Sequence, residues 1–271
     1  LEIVEQAAQR LRWAEGDSIA RSISRHMESC DGISKMQWAG SYRRGRETIG
    51  DLDLLVVAND RKVAMDQLES FSGRTMTIGR GDTKVSIRVG KAFQVDMRCV
   101  EPHQFGAALQ YFTGSQAHNV HTRRIAKDLG LKINEYGVFR VDDDSQVAGE
   151  TENDVYAAIG LPWIPPELRE DRHEFQQAAD DALPELITEA DIVGDLHMHT
   201  SATDGQNTLR EMADAAISRG LKYIAITDHS KRVTMAMGLD ADRLRQQWTM
   251  IDEVRSEYDG RLAILKGIEC D

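Results

Sequence analysis

The stretch Gly40-Ser41-Tyr42-Arg43-Arg44-Gly45-Arg46-Glu47-Thr48-Ile49-Gly50-Asp51-Leu52-Asp53-Leu54-Leu55 is the most informative in the chain of 271 residues. A Gly-Ser turn and three arginines precede two aspartates at i and i+2. On a strand, residues two apart project from one face, and two carboxylates on one face can share hard divalent cations such as Mg²⁺. The Gly-Ser turn and the arginines suit a polyphosphate. Together these residues point to nucleotidyl transfer with two metals, in which the cations clamp the attacking and leaving oxygens.

Such a site needs a third carboxylate to activate the attacking hydroxyl and complete the metal pair. Asp96, inside the apolar run Phe93-Gln94-Val95-Asp96-Met97-Arg98, is the natural candidate. An unpaired buried charge is costly, and a metal would relieve that cost. The plainer alternative is that Asp51 caps a turn and Asp96 pairs with Arg98 or Arg88.

Around this core the pattern predicts a helix over 1–29, with apolar positions at Ile3, Ala7, Leu11, Ala14, Ile19 and Ile23. Gly16-Asp17-Ser18 is expected to break it in two, with Asp17 or Ser18 as an N-cap. Strands are expected at Lys35–Ala39 and Leu52–Ala58, a helix at Val63–Phe71, and paired strands at Lys84–Val89 and Phe93–Val100 around Gly90-Lys91. Helices and strands followed by a hairpin indicate an α+β domain. From Pro102 the chain turns helical, then polar. Pro162-Trp163-Ile164-Pro165-Pro166 and the charged run Glu167–Glu174 read as a domain-joining connector.

The last 80 or so residues repeat one theme. Strands at Ile192–Leu196, Tyr223–Thr227 and Leu262–Ile268 deliver His197 and His199, then Asp228 and His229, then Glu269. A capping box at Thr208 and Glu211 opens a helix ending at Gly220, and Asp240–Tyr258 forms a second helix. Metal-type residues at the C-terminal ends of successive strands occupy the face where α/β barrels build active sites. Imidazoles with carboxylates, Asp204 among them, favour Zn²⁺, Mn²⁺ or Fe²⁺ over Mg²⁺. The other histidines, such as His118 and His121, are expected to be ordinary core or surface residues.

The net charge of −12 looks unfavourable for nucleic acid until it is divided. Residues 1–140 carry 21 Lys+Arg against 17 Asp+Glu, whereas residues 141–271 carry 12 against 28. Phosphate backbones require local positive charge rather than a basic average, so the front half could hold DNA. Three well-separated cysteines, Cys30, Cys99 and Cys270, suit reduced cytoplasmic thiols better than a disulfide framework. No run is apolar enough to span a membrane. A start at Leu1 and an end just after an apolar run lead us to expect a piece of a longer protein.

Gly40–Leu55 resembles the palm motif of the family X DNA polymerases. Tyr111-Phe112-Thr113-Gly114-Ser115, followed by Asn119, Arg123 and Ile133-Asn134-Glu135-Tyr136, looks like the thumb of DNA polymerase beta and its bacterial relatives. The resemblance implies that Asp51, Asp53 and Asp96 ligate catalytic Mg²⁺ or Mn²⁺. It places Gly40, Ser41, Arg44 and Gly50 at the incoming nucleotide, with Ser41 and Arg44 on the triphosphate. The turn at Tyr111, Phe112 and Gly114 would pack on the sugar and help exclude a 2′-hydroxyl. Asn119 would contact the base edge and Arg123 the template strand. Partners would be gapped or primed DNA and a dNTP, in gap-filling repair. The family's lyase-like and helix-hairpin-helix regions are not in this sequence, so a weakened grip on the duplex is expected.

His197-x-His199, Thr227-Asp228-His229-Ser230 and Gly267-Ile268-Glu269 resemble the PHP domain, whose members hydrolyse phosphoesters with clustered metals in a distorted barrel. The resemblance maps His197, His199, Asp204, His229 and Glu269 to metal ligands. It implies an associated 3′–5′ exonuclease or phosphoesterase activity. With further ligands expected beyond Asp271, that activity is expected to be lost here. The whole is read as an α+β nucleotidyltransferase palm over 1–100, a helical thumb over 101–160, a linker over 161–190 and a partial α/β PHP domain over 191–271. Two other readings stay open: a PHP phosphoesterase whose front half only binds DNA, and a DNA-binding scaffold without turnover.

Overall fold

The apolar run that contains the paired aspartates forms an inner strand of a five-stranded sheet. The computed structural model describes residues 10–270. Strands Leu11–Arg12 (β1), Ile33–Trp38 (β2), Thr48–Ile49 (β3), Asp51–Ala58 (β4), Arg74–Arg80 (β5), Lys84–Val89 (β6) and Phe93–Cys99 (β7) succeed one another along the front of the chain. The main sheet has the order β2-β4-β7-β6-β5, and β1 pairs separately with β3. The expected hairpin is β6–β7, with Val89 opposite Phe93 and Gly90 at φ +59° in the turn. Strand β5 was not anticipated, because Arg74-Thr75-Met76-Thr77-Ile78-Gly79-Arg80 is exposed along almost its whole length.

Alternation along β4 sorts its residues onto two faces. Leu52, Leu54 and Val56 join a core with Val95, Met97 and Cys99 of β7 and with Ala20, Ile23 and Met27 of helix Trp13–Glu28 (α1). Each fully buried leucine there stabilises the fold by roughly 1.5–3 kcal/mol. Leu55, on the other face, packs with Ala108 and Leu109 of helix Phe105–Thr113. Asp51 and Asp53 share that second face, just short of the helix that covers it.

Helix α1 runs unbroken through Gly16-Asp17-Ser18, contrary to expectation. A Cβ on Gly16 would lie 2.0 Å from Ile49 Cδ1, so this glycine permits close packing on β3 rather than ending a helix. Asp17 does not cap; it accepts a hydrogen bond from Tyr42 Oη at 2.8 Å. The helix starts instead at Arg12, whose N–H donates to the Glu15 carboxylate at 2.8 Å. Leu11 lies in β1, and the predicted positions Ile3 and Ala7 fall outside the described residues.

Residues 101–184 add helices Gln116–Asp128, Glu152–Ala158 and Glu174–Ala179 and a small antiparallel sheet of Leu131–Asn134 (β8), Gly137–Arg140 (β9) and Gln146–Ala148 (β10). The connector expected over 161–190 is corrected by the packing. Ile164, Phe175 and Ala178 are buried with Tyr156, Val155 and Ala126 in one core. Among the described residues, those up to Pro184 form one compact unit and those from Glu185 another. The charged run misled because its charges are partnered inside the fold: Arg169 with Glu152, Glu170 with Arg44, Asp171 with His121 and Glu174 with His118.

In the second unit, strands Gly194–Met198 (β11), Tyr223–Ile226 (β12) and Ala263–Lys266 (β13) run parallel in that order. Helices Leu209–Ser218 and Ala241–Glu257 cover them around Ala213, Ile224, Ile226, Ile251 and Ile264. The predicted capping box is present, with Thr208 N–H donating to Glu211 at 2.7 Å; Asp240, expected inside the second helix, instead caps it and accepts from the N–H groups of Asp242 and Arg243. No helix among the described residues is long and apolar enough to cross a membrane.

Candidate active sites

Strands β4 and β7 are parallel, with Asp53 directly opposite Asp96 and Asp51 opposite Gln94. The three carboxylates therefore converge on one face. The crowding is legible in their acidity. Burial, then the charges of Asp51 and Asp96, push the Asp53 carboxyl up to about 7. Asp51 is raised by burial and by Asp96. Burial also works against the Asp96 carboxylate, but hydrogen bonds from Lys84, Ser86 and Gln94 outweigh it and hold its pKa below the ordinary value. Lys84 Nζ lies 2.5 Å from Asp96 Oδ2. The cation beside Asp96 is thus Lys84, and neither Arg88 nor Arg98. A donor set of three carboxylates, whose burial and mutual repulsion a bound cation would relieve, fits hard divalent cations.

Gly40 has φ +66°, and a Cβ there would lie 2.6 Å from Asp53 Oδ2, so the Gly-Ser turn abuts the carboxylates as only glycine permits. Ser41 follows in the short helix Gly40–Arg43, and Gly50 leads into β4. The arginines are held by distant acids. Arg43 makes a two-pronged pair with Glu152, both bonds 2.8 Å, and donates to Thr113 Oγ1 at 3.0 Å. Arg44 Nε donates to Glu170 Oε1 at 2.7 Å and Nη1 to the Thr113 carbonyl at 2.7 Å.

Tyr111 and Phe112 stand at the end of helix Phe105–Thr113, their rings 5.1 Å apart edge-on. Asn119 ties this turn together: its Nδ2 donates to the carbonyls of Tyr111 at 2.6 Å and Gly114 at 3.3 Å. A Cβ on Gly114 would meet Asn119 Oδ1 at 2.5 Å. Arg123, four residues beyond Asn119 on the same helix, is exposed. Arg98, which the sequence reading considered only as a partner for Asp96, lies with its guanidinium 4.6 Å from the Phe112 ring centre. His118 is fully buried between Glu174 at 2.8 Å and Tyr156 at 2.9 Å, a core histidine as expected.

The second unit gathers all five of its expected ligands. His197 lies near the end of β11 and His199 just after it, their rings nearly parallel with centres 5.3 Å apart. Glu269 Oε2 lies 3.4 Å from His197 Nε2, 2.9 Å from His199 Nε2 and 3.3 Å from His229 Nδ1. Asp204 reaches His199 Nδ1 at 2.8 Å and His229 Nε2 at 3.4 Å. Two overlapping groups, His197–His199–Glu269 and His199–Asp204–His229, each have ligand atoms close enough to hold an ion. Glu269 Oε2 is buried and forms no hydrogen bond among the described residues despite three imidazoles around it, which is the environment a cation would complete.

Asp228 has a different part. Fully buried, it accepts from Thr200 N at 2.8 Å and Thr200 Oγ1 at 2.7 Å, and also from Thr203 and Gln247. It anchors the loop that carries Asp204. The sequence placed Asp228 beside His229 but offered no sign of these partners.

The front half is thus a nucleotidyltransferase palm with its thumb, and the back half a histidine-rich metal site on parallel strands. Residues 10–86 match the family model for the DNA polymerase beta palm, residues 108–170 that for the DNA polymerase beta thumb, and residues 195–271 that for the PHP domain. The chain therefore carries a palm and thumb of the DNA polymerase beta type, followed by a PHP domain. It is 42% identical over 255 residues to the DNA polymerase/3′-5′ exonuclease PolX of Bacillus subtilis (strain 168), covering 93% of this chain and 44% of that protein. DNA polymerase lambda of Rattus norvegicus is 30% identical over 159 residues, covering 48% of this chain and 28% of its own. DNA-directed DNA/RNA polymerase mu of Homo sapiens is 34% identical over 80 residues, covering 29% and 16% respectively. The chain spans less than half the length of each of these relatives. Polymerase and PHP domains together imply use of divalent metals.

Proposed function

We propose that this chain is the catalytic part of a DNA-directed DNA polymerase that adds nucleotides to a primer at short gaps in repair. The primer 3′-hydroxyl would attack the α-phosphate of a dNTP, and pyrophosphate would leave. The register that sets Asp53 beside Asp96, with Asp51 two residues away on the same face, carries this reading. Asp51, Asp53 and Asp96 would hold Mg²⁺ or Mn²⁺, which supplies charge compensation for the transfer. Asp96, kept ionised by Lys84, Ser86 and Gln94, would complete the metal pair beside the attacking hydroxyl. Ser41 and Arg44 would meet the triphosphate, with Gly40 and Gly50 allowing its close approach. Tyr111, Phe112 and Gly114 would meet the sugar, Asn119 the base edge and Arg123 the template strand.

In the second unit, His197, His199, Asp204, His229 and Glu269 would hold Zn²⁺, Mn²⁺ or Fe²⁺ for phosphoester hydrolysis at DNA 3′ ends. The free thiols of Cys30, Cys99 and Cys270 suit a reducing cytoplasm.

The test is primer extension on single-nucleotide-gapped DNA with dNTPs and Mg²⁺ or Mn²⁺. Templated addition should fall by about 100-fold or more in Asp96→Asn. Addition that survives this substitution would remove the carboxylate cluster from the reaction. Absence of addition by the wild type, with phosphoester hydrolysis retained, would favour a phosphoesterase whose front half only binds DNA.

A further inference from the structure

Arg44 is held from two sides by parts of the chain far from it in sequence. Its Nε donates to Glu170 Oε1 and its Nη1 to the Thr113 carbonyl, both at 2.7 Å, and its side chain is only 13% exposed. Thr113 closes the helix that ends in the Tyr111–Gly114 turn. Glu170 itself stands on anchored backbone. The carbonyl of Arg169 accepts from Ser115 N–H at 3.1 Å, and the Glu170 N–H donates to the Leu168 carbonyl at 2.8 Å. The Arg169 side chain beside it is fully buried, donating to Glu152 and, at 2.8 Å, to the Ile164 carbonyl.

We propose that Glu170 is a positioning residue for nucleotide binding. Together with the Thr113 carbonyl it fixes the plane of the Arg44 guanidinium and leaves Nη2 to meet a phosphate oxygen of the incoming dNTP. This rests on the reading of Arg44 as a triphosphate contact and extends it to a residue of the segment the sequence presented as a connector. A charge-assisted bond holds a flexible cation in one orientation, so less ordering is left to the binding step. Arg46 Nη1, 3.6 Å from the same Glu170 oxygen, adds a second cation that the carboxylate keeps near the turn.

The decisive variant is Glu170→Gln in the 271-residue chain, assayed by single-nucleotide insertion and by calorimetric titration of dNTP with Mg²⁺ in the absence of primer. The expected result is a KM for dNTP and a dissociation constant both raised about tenfold, kcat within about twofold of wild type, and a melting temperature lowered by only about 2–4 °C. Glu170→Asp should recover part of the loss. In an Arg44→Ala background Glu170→Gln should add nothing further, since both act through one guanidinium. Three results would overturn the proposal: unchanged dNTP affinity, tighter binding (Glu170 then competes with phosphate for Arg44), or losses that add fully to those of Arg44→Ala. Absence of dNTP binding by the wild type would overturn it together with the Arg44 reading. Weaker binding in Glu170→Gln with no insertion by the wild type would uphold the positioning role and sink the polymerase reading alone.

Discussion

Asp53 stands between Asp51 and Asp96 with its carboxyl pushed up to about 7, first by burial and then by the two neighbouring charges. An acid whose folded pKa lies above its ordinary value near 3.8 binds more protons folded than unfolded. Its contribution to stability is therefore fully present below about pH 4 and is lost as pH rises through about 7. In the metal-free chain, Asp53→Asn should melt higher than wild type at pH 8, by less at pH 5 and about equally below about pH 4, with a ceiling of roughly 4 kcal/mol. Equal melting of the two at both pH values would mean that the site is not crowded. The pairing of Asp51 with Asp53 was legible because period two along a strand is local geometry. The choice of Lys84 as the cation for Asp96 was not, since it depends on the antiparallel register of β6 against β7.

At the scale of elements, the segment 161–184 is where sequence reading and structure part. Its prolines and alternating charges resemble a solvated connector, yet Ile164, Phe175 and Ala178 fill a core and Arg169 is fully buried. Glu152 is the hub. Burial would raise its carboxyl, but hydrogen bonds and charge from Arg43 and Arg169 bring it down to about 2. A depressed acid contributes stability above its ordinary value of 4.5 that is lost as pH falls from there towards 2. Glu152→Gln leaves two arginines without their carboxylate and should cost roughly 3–5 kcal/mol at pH 7 by urea denaturation. The gap from wild type should narrow steadily below pH 4.5. A pH-independent difference would show that packing rather than charge carries the effect. The burial of Arg169 would have been hard to read, because its partner lies 17 residues away and is itself an ordinary surface type.

For the molecule as a whole, the division at Pro184 predicts what can be separated. A chain ending at Pro184 should unfold in a single cooperative transition. A chain ending at Gly160 should lose cooperative unfolding, since it deletes Ile164 and Phe175 from the core around Tyr156 and removes the buried Arg169. Circular dichroism melts of the two truncations check this directly. Cooperative folding of the shorter chain would return 161–184 to the role of a connector.

The sequence by itself determined which residues could do chemistry and how close neighbours in the chain are aligned. Asp51 with Asp53, His197 with His199, and the capping box of Thr208 with Glu211 follow from spacings of two to three residues. Even the metal-type residues at successive strand ends could be read in this way. Only the tertiary structure decided which charge answers which. Arg43 meets Glu152 across 109 residues and Arg44 meets Glu170 across 126, while Glu269 comes among three imidazoles from two other strand ends. Short-range geometry is written in dihedral preferences that each residue carries with it. Ion pairing across such separations exists only after the chain has closed its loops and excluded water, and no local pattern records it.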